Sequence, residues 1–154
     1  MPVTKLKEYL NEHGVKFVSI SHSPAYTAQE VAASAHIPGR LMAKTVMVLV
    51  DGRPAMVVLP ASHRVDFDLL RQATGARSAE LAGEQDFRDL FPSCELGAMP
   101  PFGNLYGMDV FVSLELAEQR DLAFNACSHS EVIRLPFRDY ARLVRPKVIR
   151  LSSD

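Results

Sequence analysis

Lys44 is the side chain whose type and position in the sequence most directly suggest chemistry. It opens an apolar run, because Thr45 and then five apolar residues follow it. A lysine at the end of a strand is usually solvated. Alternatively, its ammonium group projects from a rigid edge of the core, where a hydrated point charge on a flexible stem suits a phosphate or a carbonyl oxygen. The residue type alone leaves both interpretations open.

A second candidate for chemistry is the segment 97–103, which reads Gly-Ala-Met-Pro-Pro-Phe-Gly. Glycine lets the backbone approach a ligand closely, and two consecutive prolines restrict the chain and remove two N–H groups. The remaining amides can then point in a fixed direction. Preorganised backbone donors of this kind stabilise the oxyanion that forms during ester hydrolysis. The alternative is an ordinary rigid turn.

His129 ends a run of small and polar residues, Asn125-Ala-Cys-Ser, between two predicted strands. A histidine can serve there as a base or as a hydrogen-bonding wall of a pocket, although a structural hydrogen bond is the more common role. Cys127 would share a face with His129 in a strand, so a cysteine nucleophile is geometrically possible. A small buried cysteine is the commoner case.

Several other polar residues are candidates for the rim of the same pocket. His22 lies at the exit of a predicted strand, Asp109 heads the strand after the glycine loop, and Ser128 precedes His129. A basic cluster offers the best candidate surface for phosphate contacts, with a solvated face as the default interpretation. Its members are Arg134, Arg138, Arg142, Arg145, Lys147 and Arg150.

The composition of the whole chain excludes several classes of function. The 154 residues carry seventeen basic and eighteen acidic side chains, a formal charge of −1, so no global field favours DNA or RNA. No apolar run reaches the length of a membrane span, and the N-terminus lacks the apolar segment of a secretory signal, so we expect a cytoplasmic protein. Cys94 and Cys127 each stand alone, which argues against a metal site or a disulfide.

The elements that must position these residues can be located from turn and capping signals. We predict a helix from Thr4 to Gly14, a strand over 15–20, and a helix from Ala28 to about His36 that begins with a Thr27 capping box. The clearest element is a β-hairpin in which Asp51-Gly52 joins two apolar arms. Because nearly every position in these arms is apolar, we expect both faces of the hairpin to be covered.

The second half of the chain combines helices, a long loop and further strands. Asp66 and Gly75 bracket a short helix, and an apolar stripe over 87–91 predicts another. Residues 92–107 are rich in proline and glycine and predict a functional loop. Strands over MDVFVSL, DLAFNA, EVIRLP and KVIRLS, with a helix over FRDYARLV, complete the pattern. We therefore predict a single α+β domain over 1–154, with flanking helices around one curled, barrel-like, mixed and mostly antiparallel sheet.

The order and spacing of these motifs resemble the YbaK/prolyl-tRNA synthetase-associated editing family, over about residues 15 to 146. Four motifs carry the resemblance: His22 with Thr27-x-x-Glu30, Ala43-Lys44-Thr45, Gly97-x-x-x-Pro101-Phe-Gly103, and the small-residue turn that ends in His129. Each motif is weak alone, and their order makes the combination specific.

The resemblance implies a deacylase that hydrolyses the ester of mischarged tRNA in trans, most often proline tRNA carrying a small non-cognate amino acid. Lys44 matches the essential lysine of the family, expected to engage the terminal adenosine or its phosphate. The partners implied are the acceptor end of tRNA and an aminoacyl-tRNA synthetase, with no cofactor or metal. The residues expected to bind substrate are His22, Thr27, Gly97, Ala98, Met99, Pro100, Pro101, Phe102, Gly103, Asp109, Asn125, Ser128 and His129.

Two alternatives and one departure from the family pattern stay open at this stage. The chain could instead be a non-catalytic module that binds an aminoacyl or nucleotide ligand or regulates a partner. Thiol chemistry at Cys127 is the other alternative. Many relatives have Gly-Thr where this chain has Cys127-Ser128, so the pocket floor differs and the preferred amino acid is open.

Overall fold

The fold is taken from a computed structural model that describes residues 3–22, 28–91, 94–95 and 97–152. Helices flank the sheets throughout the described part of the chain. They are α1 (Val3–Glu12), α2 (Ala28–Ser34), α3 (Phe67–Thr74), α4 (Glu84–Phe87), α5 (Leu114–Ala117) and α6 (Phe137–Val144), with 3₁₀ turns at Arg88–Leu90 and Gly103–Tyr106.

The strands of the described residues form two sheets. The strands are β1 (Val18–Ser21), β2 (Ala43–Val50), β3 (Arg53–Pro60), β4 (Ala79–Leu81), β5 (Val110–Ser113), β6 (Asp121–Asn125), β7 (Glu131–Pro136) and β8 (Lys147–Ile149). One sheet has the order β1-β7-β6 and the other has the order β4-β2-β3-β5-β8. The pairs β3–β5 and β5–β8 are parallel, and the other pairs are antiparallel.

The prediction of a mixed, mostly antiparallel α+β domain with flanking helices is confirmed, whereas the prediction of one curled, barrel-like sheet is wrong. The two sheets meet at an isolated parallel bridge between Met42 and Ala123, and no barrel closes among the described strands. The alternation of apolar residues indicates which segments are strands. It carries no information on which distant strands pair, so the division into two sheets was not visible.

The β2–β3 hairpin forms as predicted around Asp51-Gly52. Both residues have positive φ, at 50° and 80°, which matches the twist that a two-residue hairpin turn requires. The Asp51 carboxylate accepts hydrogen bonds from the backbone N–H groups of Arg77 and Ser78, at 2.9 and 3.0 Å, and so ties the turn to the start of β4. The prediction that both faces of the hairpin are covered is correct for most of β3, whereas β2 is only half-buried over much of its length.

Helix α3 is bracketed as its sequence predicts. The Asp66 side chain accepts from the backbone N–H groups of Asp68 and Leu69, and Gly75 adopts the left-handed conformation after the last turn. Strand β4 and helix α5 were not predicted, because segments of three and four residues are too short for a periodic pattern. No helix among the described residues is long and apolar enough to span a membrane.

An aromatic cluster fixes the far end of the glycine loop. Phe102 is fully buried, and its ring makes edge contacts with those of Tyr9, Phe124 and Tyr140. The Tyr140 hydroxyl donates a 2.8 Å hydrogen bond to the carbonyl of Pro101. Tyr140 is itself fully buried, and its burial raises the pKa of the phenol well above the ordinary value, so the hydroxyl remains protonated and can donate. The loop is therefore anchored to α6 and the core.

Cys94 and Cys127 form a disulfide, which corrects the expectation that the two cysteines stand alone. The Sγ atoms are 2.02 Å apart and the Cα atoms 4.3 Å apart, across 33 residues of sequence. Local spacing cannot reveal a pairing over such a distance, because the fold brings the two residues together. A sulfur in a disulfide is not a thiolate, so Cys127 is not a nucleophile in this form of the protein.

Candidate functional site

Lys44 is the second residue of β2 and lies opposite Leu59 on β3. Its side chain is half-buried, and it forms no ion pair or side-chain hydrogen bond within the part of the chain that the structure describes. Burial, and secondarily the positive charge of Arg64, lower its pKa from the ordinary value. A half-buried cation without a carboxylate partner is suited to bind an anion or a polarised carbonyl.

The junction of the two sheets brings Lys44 towards Asn125. The Ala123 N–H donates to the carbonyl of Leu41 at 2.9 Å, next to the parallel bridge between Met42 and Ala123. Lys44 and Asn125 each lie two residues beyond that bridge in the same chain direction, and β2 remains in contact with β6. The Asn125 side chain is 6% exposed, and its Oδ1 accepts no hydrogen bond from any described residue.

The glycine loop is held against the turn between β6 and β7. The Cys127 N–H donates to the carbonyl of Ala98, and the Glu95 N–H donates to the carbonyl of Cys127, both at 2.9 Å. Gly97 has a φ of 83°, and a Cβ at this position would lie 3.7 Å from Nε2 of His129. The start of the loop and His129 are therefore direct neighbours.

Glu95 adjoins the candidate site and was not singled out from the sequence. Its Oε2 accepts hydrogen bonds from the backbone N–H of His129 at 2.9 Å and from Nδ1 of the same residue at 2.7 Å. Both hydrogen bonds lower the pKa of the Glu95 carboxyl, and the bond from the backbone N–H has the larger effect. The pair fixes the orientation of the imidazole ring. Its partners are 34 residues apart, and no local motif marks Glu95 in the sequence.

The backbone amides of the loop divide into bonded and unbonded donors. Ala98 donates to the carbonyl of Glu95 at 3.0 Å, and the two prolines at 100 and 101 have no N–H. The amides of Gly97, Met99 and Gly103 donate no hydrogen bond within the described residues. Gly97 and Met99 flank Ala98, whose carbonyl accepts from Cys127 in the turn that carries His129, so their N–H groups are the candidate donors to a ligand. The side chains of the loop serve packing instead, since those of Ala98, Met99, Pro100, Pro101 and Phe102 are buried, as is Gly103.

The remaining candidates divide between the site and other parts of the surface. The His22 N–H donates to the carbonyl of Ser130 at 2.9 Å, which brings His22 beside the turn that carries His129. Ser128 lies in that turn, 3.3 Å from the Ser130 hydroxyl. Asp109 lines a different groove. It precedes β5, which runs parallel to β3, so it lies beside the start of β3, whereas Lys44 lies beside the end of that strand. Thr27 lies outside the described residues.

Arg64 is a second residue that the sequence analysis did not assign to the site. It follows β3 at the same end of the hairpin as Lys44, close enough for its charge to act on that side chain. A polar turn after a strand is usually solvated, so no feature of the sequence singles out Arg64. No group of three His, Cys, Asp or Glu residues that could hold a metal ion occurs in the described ranges.

Residues 22–143 match the profile of the aminoacyl-tRNA editing domain family. The matched segment contains Lys44, the glycine loop and His129. No curated protein sequence matches the chain at a significant level.

Several solved structures share the fold. The crystal structure of a hypothetical protein has a TM-score of 0.85 and 20% identity, covering 97% of this chain and 99% of the other. That of a candidate trans-editing enzyme for prolyl tRNA synthetase has a TM-score of 0.82 and 16% identity, covering 99% of this chain and 97% of the other. A candidate signal transduction protein from Marinobacter aquaeolei VT8 has a TM-score of 0.78 and 15% identity, covering all of this chain and 31% of the other.

Proposed function

The chain belongs to the aminoacyl-tRNA editing domain family, and on that basis we propose that it hydrolyses the ester bond of mischarged tRNA in trans. The substrate is a tRNA for proline that carries a small non-cognate amino acid, in line with a similar fold described as a candidate trans-editing enzyme for prolyl tRNA synthetase. The synthetase system would supply this substrate. The reaction needs no cofactor.

The observation that carries the proposal is the state of Lys44. Its ammonium is half-buried at a rigid strand end, and none of the described residues neutralises it. The terminal adenosine of tRNA brings both a phosphate and an ester carbonyl, and either group would neutralise this charge. The ordinary solvated lysine of a strand end would not be half-buried, which supports the functional interpretation.

In the proposed reaction, the backbone amides of the glycine loop stabilise the transition state. In our mechanism water attacks the ester carbonyl, and the N–H groups of Gly97 and Met99 stabilise the negative charge that develops on its oxygen. One such preorganised donor contributes about 2.7 to 4 kcal/mol to transition-state stabilisation in a water-excluded site. The C–O bond to the ribose then breaks, and the ribose oxygen leaves with the proton of the water. Positioning and oxyanion stabilisation suffice for a reactive ester without a protein nucleophile.

The pair formed by Glu95 and His129 is assigned to substrate discrimination. Two hydrogen bonds from one residue to the same carboxylate oxygen hold the ring in one orientation beside the loop. An imidazole ring held in one orientation excludes from the pocket substrate side chains that a mobile ring would admit. A single methylene in a pocket contributes about 1 to 3 kcal/mol to discrimination, so the wall position strongly affects which amino acid is removed.

Release of amino acid from a panel of charged tRNAs tests this function. The panel consists of proline tRNA carrying alanine, cysteine, serine, threonine or proline, with wild type, Lys44→Ala and the exposed-lysine control Lys16→Ala. We expect wild type and Lys16→Ala to cleave at least one non-cognate ester and Lys44→Ala to cleave none. Binding of the charged tRNAs without release of any amino acid would favour a non-catalytic binding module instead.

A further inference from the structure

A charged groove lies at the end of the β6–β7 hairpin that is remote from His129. It has a volume of about 740 Å³ and is formed by the base of the hairpin, the segment after α5 and the start of α6. Three arginines line it, Arg120, Arg134 and Arg138, together with Asp121. We call this set of four residues the arginine groove.

The arginine groove carries an excess of positive charge. Asp121 neutralises Arg134 through a 3.0 Å bond between Oδ2 and Nε. Arg120 and Arg138 are exposed and form no ion pair with any described residue. Asp121 is the only carboxylate of the lining residues. Two guanidinium groups therefore face the groove without a counter-charge from the described part of the protein.

The position of the groove relates it to the candidate site. Asp121 begins β6 and Asn125 ends it, and their partners on β7 are Pro136 and Val132. At about 3.3 Å of rise per residue, the two ends of β6 are roughly 13 Å apart. Measured along the axis of a stacked duplex, each strand presents a phosphate about every 3.4 Å, so this length corresponds to roughly four stacked nucleotides. A strand whose 3′ end lies beside Asn125 could reach the groove within a few nucleotides.

We propose that the arginine groove binds the phosphodiester backbone of the RNA whose 3′ end occupies the candidate site. Arg120 and Arg138 donate to phosphate oxygens, for which the planar guanidinium fork is well matched. Such contacts fix position and register without reading sequence. The inference rests on the proposed function for the identity of the RNA. It also explains how a chain with a net charge of −1 binds a polyanion, since the attraction is local.

Binding of an uncharged tRNA transcript over a range of salt concentrations tests the groove independently of catalysis. We compare wild type, the double variant Arg120→Ala/Arg138→Ala, and Arg77→Ala, which removes an exposed arginine before β4. Loss of two charge-assisted contacts should weaken binding by about tenfold or more. The slope of log K against log salt should become shallower by roughly 1.4 to 1.8. Arg77→Ala should bind like wild type. Equal affinities for the double variant and wild type would overturn the proposal.

A short substrate separates failure of the groove from failure of the proposed function. Deacylation is measured on full-length charged tRNA and on a charged 3′-terminal trinucleotide, which lacks the more distant phosphates. We expect the double variant to be impaired on tRNA and to match wild type on the trinucleotide. Equal cleavage of tRNA by both proteins would reject the groove and leave the function standing. Groove-dependent tRNA binding with no cleavage by wild type would support the groove and reject the function.

Discussion

At the level of single residues, the candidate site contains charged groups whose surroundings are unusual for their type. Lys44 is half-buried without a counter-ion among the described residues, and Arg64, the charged group that contributes to the shift of its pKa, has the same sign. Glu95 is exposed, yet two hydrogen bonds from His129 hold it in place. Perturbed ionisable groups concentrate at functional sites, where the cost of holding them is offset by binding or catalysis.

The charge of Arg64 should contribute to the alkaline limit of activity. Burial and, secondarily, the charge of Arg64 lower the pKa of Lys44, so the Arg64→Gln variant should partly restore that pKa and the charged form of Lys44 should persist to higher pH. After subtraction of spontaneous ester hydrolysis, the alkaline limb of the rate profile should move upward in pH. Arg77→Gln serves as the control and should leave the limb unchanged. A limb that does not move, or moves downward, contradicts the role of the Lys44 charge.

The Glu95 carboxylate should make a small, pH-dependent contribution to stability. Its folded-state pKa is lowered, so its contribution is present above the ordinary pKa and is lost as the pH falls through the folded-state value. Glu95→Gln keeps a hydrogen-bond acceptor and removes the titration. Thermal denaturation midpoints measured from neutral to acid pH should therefore fall less steeply for the variant than for wild type. Parallel curves for the two proteins would argue against the pair with His129.

At the scale of elements, the glycine loop is a rigid part of the core. Tyr140 on α6 bonds the carbonyl of Pro101, and Phe102 fills the centre of the aromatic cluster. Gly103 is buried, and a Cβ there would lie 2.8 Å from Cγ2 of Val110. Glycine therefore serves packing at position 103, and at position 97, where φ is 83°, it leaves open the side of the loop on which we propose that the ligand binds.

Gly103→Ala should destabilise the protein because the added methyl group meets Val110 and Met56, at 2.8 and 3.2 Å. Overpacking of this kind typically costs about 1 to 3 kcal/mol in the free energy of unfolding, which denaturant titration measures. Gly39→Ala is the matched control, because no atom lies within 4 Å of a Cβ at that position. The loop packing described above would be wrong if both variants were equally stable.

The disulfide between Cys94 and Cys127 should be detectable by thiol titration. Denatured protein purified without reductant should show no free thiol, and reduction should release the thiols of both residues. Closure of a loop with a sequence separation of 33 residues corresponds to roughly 3 to 4 kcal/mol in the chain-entropy description. Cys94→Ser should therefore lower the free energy of unfolding under oxidising conditions. Free thiols in the unreduced protein would contradict the pairing.

In the molecule as a whole, the candidate site lies where the two sheets meet. Lys44 comes from the five-stranded sheet, and Asn125 and the turn with His129 come from the three-stranded sheet. The Met42–Ala123 bridge is the point of contact between them. Neither sheet alone contains the full set of candidate residues.

The sequence predicted local features of this arrangement and missed the distant ones. The Asp51-Gly52 hairpin and the α3 boundaries follow from turn and capping chemistry, which short segments encode. The two-sheet topology, the disulfide and Glu95 depend on contacts between residues far apart in the chain. Lys44 and His129 could be singled out because each belongs to a motif whose position in the chain resembles the family pattern. Arg64 and Glu95 belong to no such motif.

The role of Lys44 in ester hydrolysis is tested by the single-turnover rate of deacylation with saturating enzyme. It is applied to the ester that wild type cleaves best, with wild type, Lys44→Arg and Lys44→Ala. We predict a rate loss of at least about a hundredfold for Lys44→Ala, as for removal of one electrostatic contact in a water-excluded site. Lys44→Arg, which keeps the charge, should retain part of the rate. A Lys44→Ala protein as fast as wild type would contradict a role for Lys44 in the reaction.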